Sequence, residues 1–222
     1  MELDKSKHTV LSFSGIYPEL GLPFMEGEPF VDCSDIGGTV CYCDPESESA
    51  ILSRISERRT ESLHWIDSGD YHYISALWLS RITSPFDLLV FDHHPDMQEP
   101  AFGGILSCGG WVRTSLERYP LLRNVLIAGI NPSLEGECEG FGERVKVLNK
   151  DFLAGKDHSV VASSLPSDGL PLYISIDKDV LSADDARTDW DQGNMVLPFL
   201  LEALSDIFAL RKVIGADICG EI

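Results

Sequence analysis

Leu88-Leu89-Val90-Phe91-Asp92-His93-His94-Pro95-Asp96 sets four apolar residues directly against two carboxylates and two imidazoles. The apolar run is too short for a helix to be the better reading, and it predicts a strand buried on both faces. Beyond it, Asp92, His94 and Asp96 recur at a spacing of two, which in extended chain points all three side chains the same way. Carboxylate and imidazole both ligate divalent cations, so a buried strand ending in this way reads as half of a metal site. It reads equally well as a solvated turn, where Asp and Pro are common. The rest of the chain decides between the two.

Apolar runs of the same kind recur on both sides of this stretch. His8 to Phe13, Leu63 to Ile66, Asn124 to Gly129, Val145 to Leu148, Leu172 to Ile176 and Lys212 to Ala216 each predict a strand. Helical patterns fall between them. Asp44-Pro45 opens one helix as N-cap and first-turn proline, with Ile51, Leu52 and Ile55 as its apolar stripe. Further helices are predicted from about Ile74 to Arg81, from about Trp111 to Arg118, and from Pro198 onward. In the last, Leu200, Ala203, Leu204, Ile207 and Phe208 share one face. The Pro- and Gly-rich stretch from Tyr17 to Pro29 predicts irregular surface chain. Strands alternating with helices imply parallel crossovers, hence an α/β fold: a three-layer α/β/α sandwich on a mostly parallel sheet. At 222 residues the expectation is a single domain, 1–222.

Composition narrows the function. A net charge of −19 argues against nucleic acid and anionic membrane as partners, because phosphate recognition needs clustered Lys and Arg. An acidic surface favours cationic ligands, and it also serves solubility alone. No apolar run approaches the roughly 20 residues that span a bilayer. The charged start, Met1 to Lys7, lacks a signal-peptide core. The six scattered cysteines predict free thiols in a cytoplasmic protein. Cys41-Tyr42-Cys43 has no second cysteine pair with which to build a zinc site.

Ligand-type residues collect after the strands. Asp70 and His72 follow one, Asp92, His94 and Asp96 the next, Asp177 and Asp179 another, and Asp217 and Glu221 the last. In an open parallel sheet all carboxyl ends lie along one edge, the edge where such folds bind ligands. Carboxylates gathered there repel one another strongly unless a cation lies between them. A carboxylate-rich set with a few imidazoles suits manganese better than zinc.

Gly69-Asp70-Tyr71-His72, Asp92-His93-His94-Pro95-Asp96 and Ser175-Ile176-Asp177-Lys178-Asp179 resemble, in order, the three metal motifs of the arginase/agmatinase (ureohydrolase) superfamily. The resemblance runs from about Leu63 to the end and implies the arginase/deacetylase-like fold. It implies one Mn2+ held by His72, Asp92, Asp96 and Asp177 and a second held by Asp92, His94, Asp177 and Asp179, with Asp92 and Asp177 bridging. A bridging hydroxide would attack a guanidinium carbon and expel urea, with Asp96 accepting a proton. Glu221 is the nearest match to the family's guanidinium-binding glutamate, although it lies one residue further from Asp217 than expected.

The chain departs from the family in two places. Ser107-Cys108-Gly109-Gly110-Trp111 stands where the family has a proton-shuttling histidine, and the Asp-Pro and Gly/Thr-rich loop after the third motif is replaced. In that replacement, Asp189, Trp190, Asp191 and Gln192 read either as a wall for a cationic substrate or as a solvated loop. His93 reads as a residue behind the ligands or at the surface, His64 as a core histidine, Tyr71 and Tyr73 as packing, and Cys108 as a small residue in a tight turn. The implied substrate is a small guanidino compound or an arginine-containing peptide, and a homo-oligomer is left open. Amide hydrolysis, as by the deacetylases of this fold, and metal binding without catalysis are the other two function classes.

Overall fold

The computed structural model describes residues 8–21, 30–100 and 102–222. In chain order the elements are β1 His8–Ser12, α1 Ile16–Leu20, β2 Val31–Asp32, β3 Tyr42–Cys43, α2 Pro45–Arg54, β4 Leu63–Ile66, α3 Ile74–Leu79, β5 Phe86–Phe91 and β6 Leu106–Ser107. They continue with α4 Trp111–Arg118, β7 Leu122–Ala128, β8 Val145–Leu148, α5 Lys150–Leu153, α6 Ser159–Ser164, β9 Leu172–Asp177, α7 Leu197–Leu210 and β10 Val213–Cys219. Eight strands form one sheet in the order β2-β1-β4-β10-β9-β5-β7-β8, and each of its pairings is parallel. β3 and β6 make a small antiparallel pair beside it.

The apolar strands divide their side chains between two cores because successive residues point to opposite faces. Leu88 and Val90 of β5, with Val125 and Ile127 of β7, meet Ile51, Leu77, Trp78, Trp111 and Leu116 from α2, α3 and α4. Leu89 and Phe91, with Leu126 and Ala128, meet Leu153, Val161, Leu200, Ala203 and Ile207 from α5, α6 and α7. Each such aliphatic side chain stabilises by about 1.5–3 kcal/mol when fully buried. Three layers, α/β/α, result.

The expected helix start at Asp44 is borne out: Asp44 Oδ1 accepts from the backbone N–H of Glu46 at 3.0 Å and of Ser47 at 2.8 Å. Two expectations need correcting. The stretch from Tyr17 does not begin as irregular surface chain, since residues 16–20 are helical and Tyr17 is 1% exposed. Its hydroxyl accepts from the N–H of Asp67 at 3.1 Å, which ties this helix to the turn after β4. Residues 22–29 of that stretch lie outside the described residues. Phe208 is 59% exposed, because eight residues at 3.6 per turn carry it about 80° from Leu200.

For the site, the sheet order matters most. β4, β10, β9 and β5 are adjacent, and their register sets Cys219 beside Asp177 and Phe91 beside Ile176. Neighbouring strands lie about 4.8 Å apart, so side chains leaving their carboxyl ends are within reach of one another.

Candidate metal centre

The turn after β4 delivers the first imidazole. Asp67, fully buried with φ 54°, accepts from the N–H of Phe13 at 2.8 Å and of Ser14 at 3.0 Å and from Ser14 Oγ at 2.6 Å. That fixes the short helical turn Gly69–Tyr71, after which His72 points under the sheet edge with 1% exposure. Its Nε2 lies 2.8 Å from Ser175 Oγ, and that hydroxyl donates to Asp217 Oδ1 at 2.6 Å. A hydroxyl that donates to a carboxylate must accept from the ring, so Nε2 carries a hydrogen and Nδ1 is the ring atom left to serve as a ligand. Nδ1 faces Asp92 Oδ2 at 3.2 Å, Asp96 Oδ2 at 3.1 Å and Asp177 Oδ2 at 3.5 Å. Metal-ligating histidines are held in this way, by a partner on the other ring nitrogen.

β5 delivers the second group. His94 Nδ1 lies 2.8 Å from Asp179 Oδ2 and 3.6 Å from Asp92 Oδ1. The backbone N–H of His93 donates to Asp179 Oδ1 at 2.9 Å, so the ends of β5 and β9 are pinned together. Asp96 sits at φ 50°, a strained conformation for a non-glycine residue, and strain of this kind clusters at functional sites. Trp111 Nε1 donates to its Oδ2 at 2.6 Å, and its carbonyl accepts from the N–H of Val112 at 3.1 Å.

These side chains form groups with ligand atoms within 4.8 Å of one another: His72 with Asp92 and Asp96, Asp92 with His94 and Asp179, and His72 with Asp177 and Cys219. Asp92 belongs to two of them. Burial, and for Asp92 the charge of Asp96, raises the pKa of Asp92, Asp96 and Asp177, and burial with the charge of Asp92 carries Asp179 up to about 7. Burial works against charge on His72, yet Cys219, and after it Asp92 and Asp96, raise its pKa. On His94 burial is likewise outweighed, by Asp179 and Asp92, and the pKa rises to about 11. Asp92 Oδ2 is buried without a hydrogen-bond partner. A buried acidic cluster with such an oxygen and a ring nitrogen turned inward fits divalent cations, which restore the missing positive charge.

The cleft above these groups has a volume of about 410 Å³ counting space open to solvent, and is lined by His72, Asp92, His94, Asp96, Asp177 and Asp179. Trp190 also lines it, with Nε1 donating to Asp70 Oδ1 at 3.2 Å. Gly69 makes room for that indole: a Cβ there would lie 2.9 Å from Trp190 Cδ1. The remaining candidates for a substrate wall do not reach the cleft. Gln192 Nε2 donates to the carbonyls of Leu181 and Ala186 at 3.3 and 3.1 Å, and Asp189 and Asp191 are exposed. Glu221 is ion-paired with Lys178 and lies outside the lining. Gly220 holds the place nearer the centre, where a Cβ would lie 2.8 Å from Asp177 Oδ1.

His93 is not a surface residue. It is 1% exposed, its Nε2 lies 3.7 Å from Asp191 Oδ2, and burial with the nearby Lys150 and His94 lowers its pKa. Among the lining residues that escaped the sequence reading as site residues are Gln98, Cys108 as a wall, and Glu137, whose pKa burial raises. Glu137 belongs to the helical turn Pro132–Cys138 after β7, a strand with no ligand pattern to mark it. No Lys or Arg lines this cleft among the described residues.

No family model matches the chain. It is 32% identical over 212 residues to an uncharacterized protein of Thermotoga maritima, covering 96% of this chain and 78% of that protein. Among solved structures, the agmatine ureohydrolase of Thermoplasma volcanium superposes with a TM-score of 0.67 at 13% identity, over 98% of this chain and 83% of that one. Proclavaminate amidino hydrolase from Streptomyces clavuligerus gives 0.63 at 18% identity, over 79% of this chain and 60% of that one. A T. brucei arginase-like protein, a triple mutant bound with Mn2+, gives 0.57 at 19%, over 84% and 60%. The chain belongs to the Thermotoga maritima protein's family, and its fold is that of the arginase/agmatinase superfamily. It spans about 60% of the length of the last two of these structures. Among the described residues, no helix is long and apolar enough to cross a membrane.

Proposed function

We propose that residues 1–222 act as one cytoplasmic metallohydrolase domain that holds two Mn2+ ions and releases urea from a guanidino compound or an arginine-containing peptide. The observation that carries this reading is that the β5 and β9 ends gather two ligand groups sharing Asp92, beside a cleft lined by acidic and aromatic side chains and no cation. His72, Asp92, Asp96 and Asp177 would hold one ion and Asp92, His94, Asp177 and Asp179 the other. When bound, such a pair supplies Lewis acidity and a nucleophile derived from water at neutral pH.

The chain's own residues do the rest. Ser175 and Asp217 keep His72 in the tautomer that faces the ions. Trp111 holds Asp96 by Oδ2, which leaves Oδ1 to take the proton from the attacking water. Trp190 offers a flat face to a planar guanidinium, and Glu137 adds negative charge at the rim. The net charge of −19 draws cationic substrates toward the cleft. Glu221 binds a guanidinium only by leaving Lys178. The amidino and guanidino hydrolases among the structural neighbours, and the Mn2+ in one of them, support the same reaction class and metal.

Urea release by the Mn2+-loaded protein, measured over arginine, agmatine, other guanidino compounds and arginine-containing peptides, tests the reading. Turnover of at least one, lost on chelation, is expected. Hydrolysis of acetyl-lysine peptides with no urea from any guanidino compound would move the assignment to amide hydrolysis.

A further inference from the structure

Cys219 closes β10 directly beside Asp177, in register with it across the β10–β9 pairing. It is fully buried, and its Sγ lies 3.1 Å from Asp177 Oδ2. Asp177 Oδ2 in turn lies 3.5 Å from His72 Nδ1, the ring atom left to serve as a ligand. His72, Asp177 and Cys219 thus bring a nitrogen, an oxygen and a sulfur ligand atom within 4.8 Å of one another. A tetrahedral ion with bonds of about 2.0 Å to nitrogen or oxygen and about 2.3 Å to sulfur holds its ligand atoms about 3.3–3.5 Å apart. The Sγ–Oδ2 and Oδ2–Nδ1 separations, 3.1 and 3.5 Å, lie within a few tenths of an ångström of that spacing. An independent observation points to a cation in the same place: Asp92 Oδ2, buried without a hydrogen-bond partner, lies 3.2 Å from the same His72 Nδ1. Gly220 lets the end of β10 come this close, at φ 94° and with no side chain to strike Asp177.

We propose that Cys219 is a ligand of the ion on the His72 side of the centre, so that this half takes a thiophilic divalent cation such as Zn2+ or Co2+ in preference to Mn2+. The inference rests on the metal-centre reading above and refines it from two like ions to two unlike subsites. The His72 side offers imidazole, carboxylate and thiolate, a soft set, while the His94 side offers imidazole and carboxylates alone. On binding, the ion displaces the thiol proton to solvent and the Sγ–metal bond replaces the hydrogen bond to Asp177. The alternative is that the thiol only donates to Asp177 and orients that carboxylate.

The test loads metal-free protein with Co2+ and reads the near-ultraviolet sulfur-to-cobalt charge-transfer absorption. X-ray absorption at the zinc edge of the Zn2+-loaded protein gives a second reading of the same bond. The expected result is one sulfur neighbour on one of the two ions, with the cobalt band lost in Cys219→Ser and kept in Cys41→Ser/Cys108→Ser. The preference for Zn2+ over Mn2+ at that subsite should fall about tenfold or more in Cys219→Ser. Ions bound with no sulfur signature overturn the proposal and leave the metal centre standing, as does a band that survives Cys219→Ser. A wild-type protein that binds no ion overturns both. If Cys219→Ser does not fold, zinc-edge absorption of the wild-type and the Cys41/Cys108 variant still decides.

Discussion

The two ends of β5 bury a carboxylate each and treat it in opposite ways. At the start, Asp87 is fully buried against Arg211 Nη2 at 2.8 Å and Asn124 Nδ2 at 2.9 Å. Just past the other end, Asp92 is 1% exposed among further carboxylates and imidazoles, with Oδ2 lacking a hydrogen-bond partner. A chain that supplies an arginine at one end of a strand has the means to do so at the other. That it gathers more acid there instead marks the carboxyl edge as built for a cation from outside.

The largest expected effect comes from turning the first end into the second. Arg211→Met strands a buried charge on Asp87 and should cost about 3–5 kcal/mol in urea unfolding. The loss should be equal with and without Mn2+; a metal-dependent loss would break the distinction between the ends.

Asp92→Asn does the converse. Without metal it removes a repelling charge and should leave stability unchanged or slightly raised. With Mn2+ at 100 times its Kd it should forfeit about 2.7 kcal/mol of ion-induced stabilisation, read as the difference in urea midpoint on adding metal.

The same contrast divides two histidines. His64 is buried like His72, but its hydrogen-bonding and stacking partners are neutral: it stacks on Trp78 at 3.7 Å, and its ring nitrogens lie 2.9 Å from Tyr173 Oη and 3.0 Å from the Arg59 carbonyl. Burial, chiefly, with the charge of nearby Arg81, pushes its pKa down to about 3. Below about pH 6.5 the unfolded chain takes up a proton that the folded one refuses, so this contribution is complete above that pH and lost as pH falls toward 3. About 2 kcal/mol should be gone by pH 5 in the metal-free protein. His64→Gln should remove that slope from a series of urea midpoints against pH, and an unchanged slope would contradict the neutral niche.

The smallest effect belongs to Glu221→Gln. The Lys178 pair is part-buried, but glutamine can still accept from the ammonium, so the change should cost about 1 kcal/mol with metal content unchanged. If kcat/KM also holds, Trp190 and Glu137 carry recognition; a large fall assigns the guanidinium to Glu221 after all.

The outline of this centre could be read from residues alone because uniformly apolar runs mark the doubly covered strands and ligand-type residues follow their carboxyl ends. The spacing of two does not align Asp92, His94 and Asp96 as extended chain would, because the chain bends at His93 and His94 and Asp96 takes φ 50°. β2, β3 and β6, at two residues each, and the short helices α5 and α6 carry too little periodicity to be seen. Tyr17 lay hidden in a Gly- and Pro-rich context because its burial depends on Asp67, 50 residues away. The Ser175–Asp217 support of His72, the Cys219 approach and the place of Glu137 depend on which strands are neighbours. Strand order is set by the whole sheet and leaves no local pattern.

The central claim is that the carboxyl edge of this sheet holds two divalent cations. Chelator-stripped protein, dialysed to equilibrium against Mn2+ and then against Mn2+ with Zn2+, and analysed for metal per chain, tests it most directly. Two ions per chain are predicted in both baths, falling to one or none in Asp92→Asn. A folded wild-type chain that retains no stoichiometric metal, or an Asp92→Asn variant that keeps both ions, would contradict it.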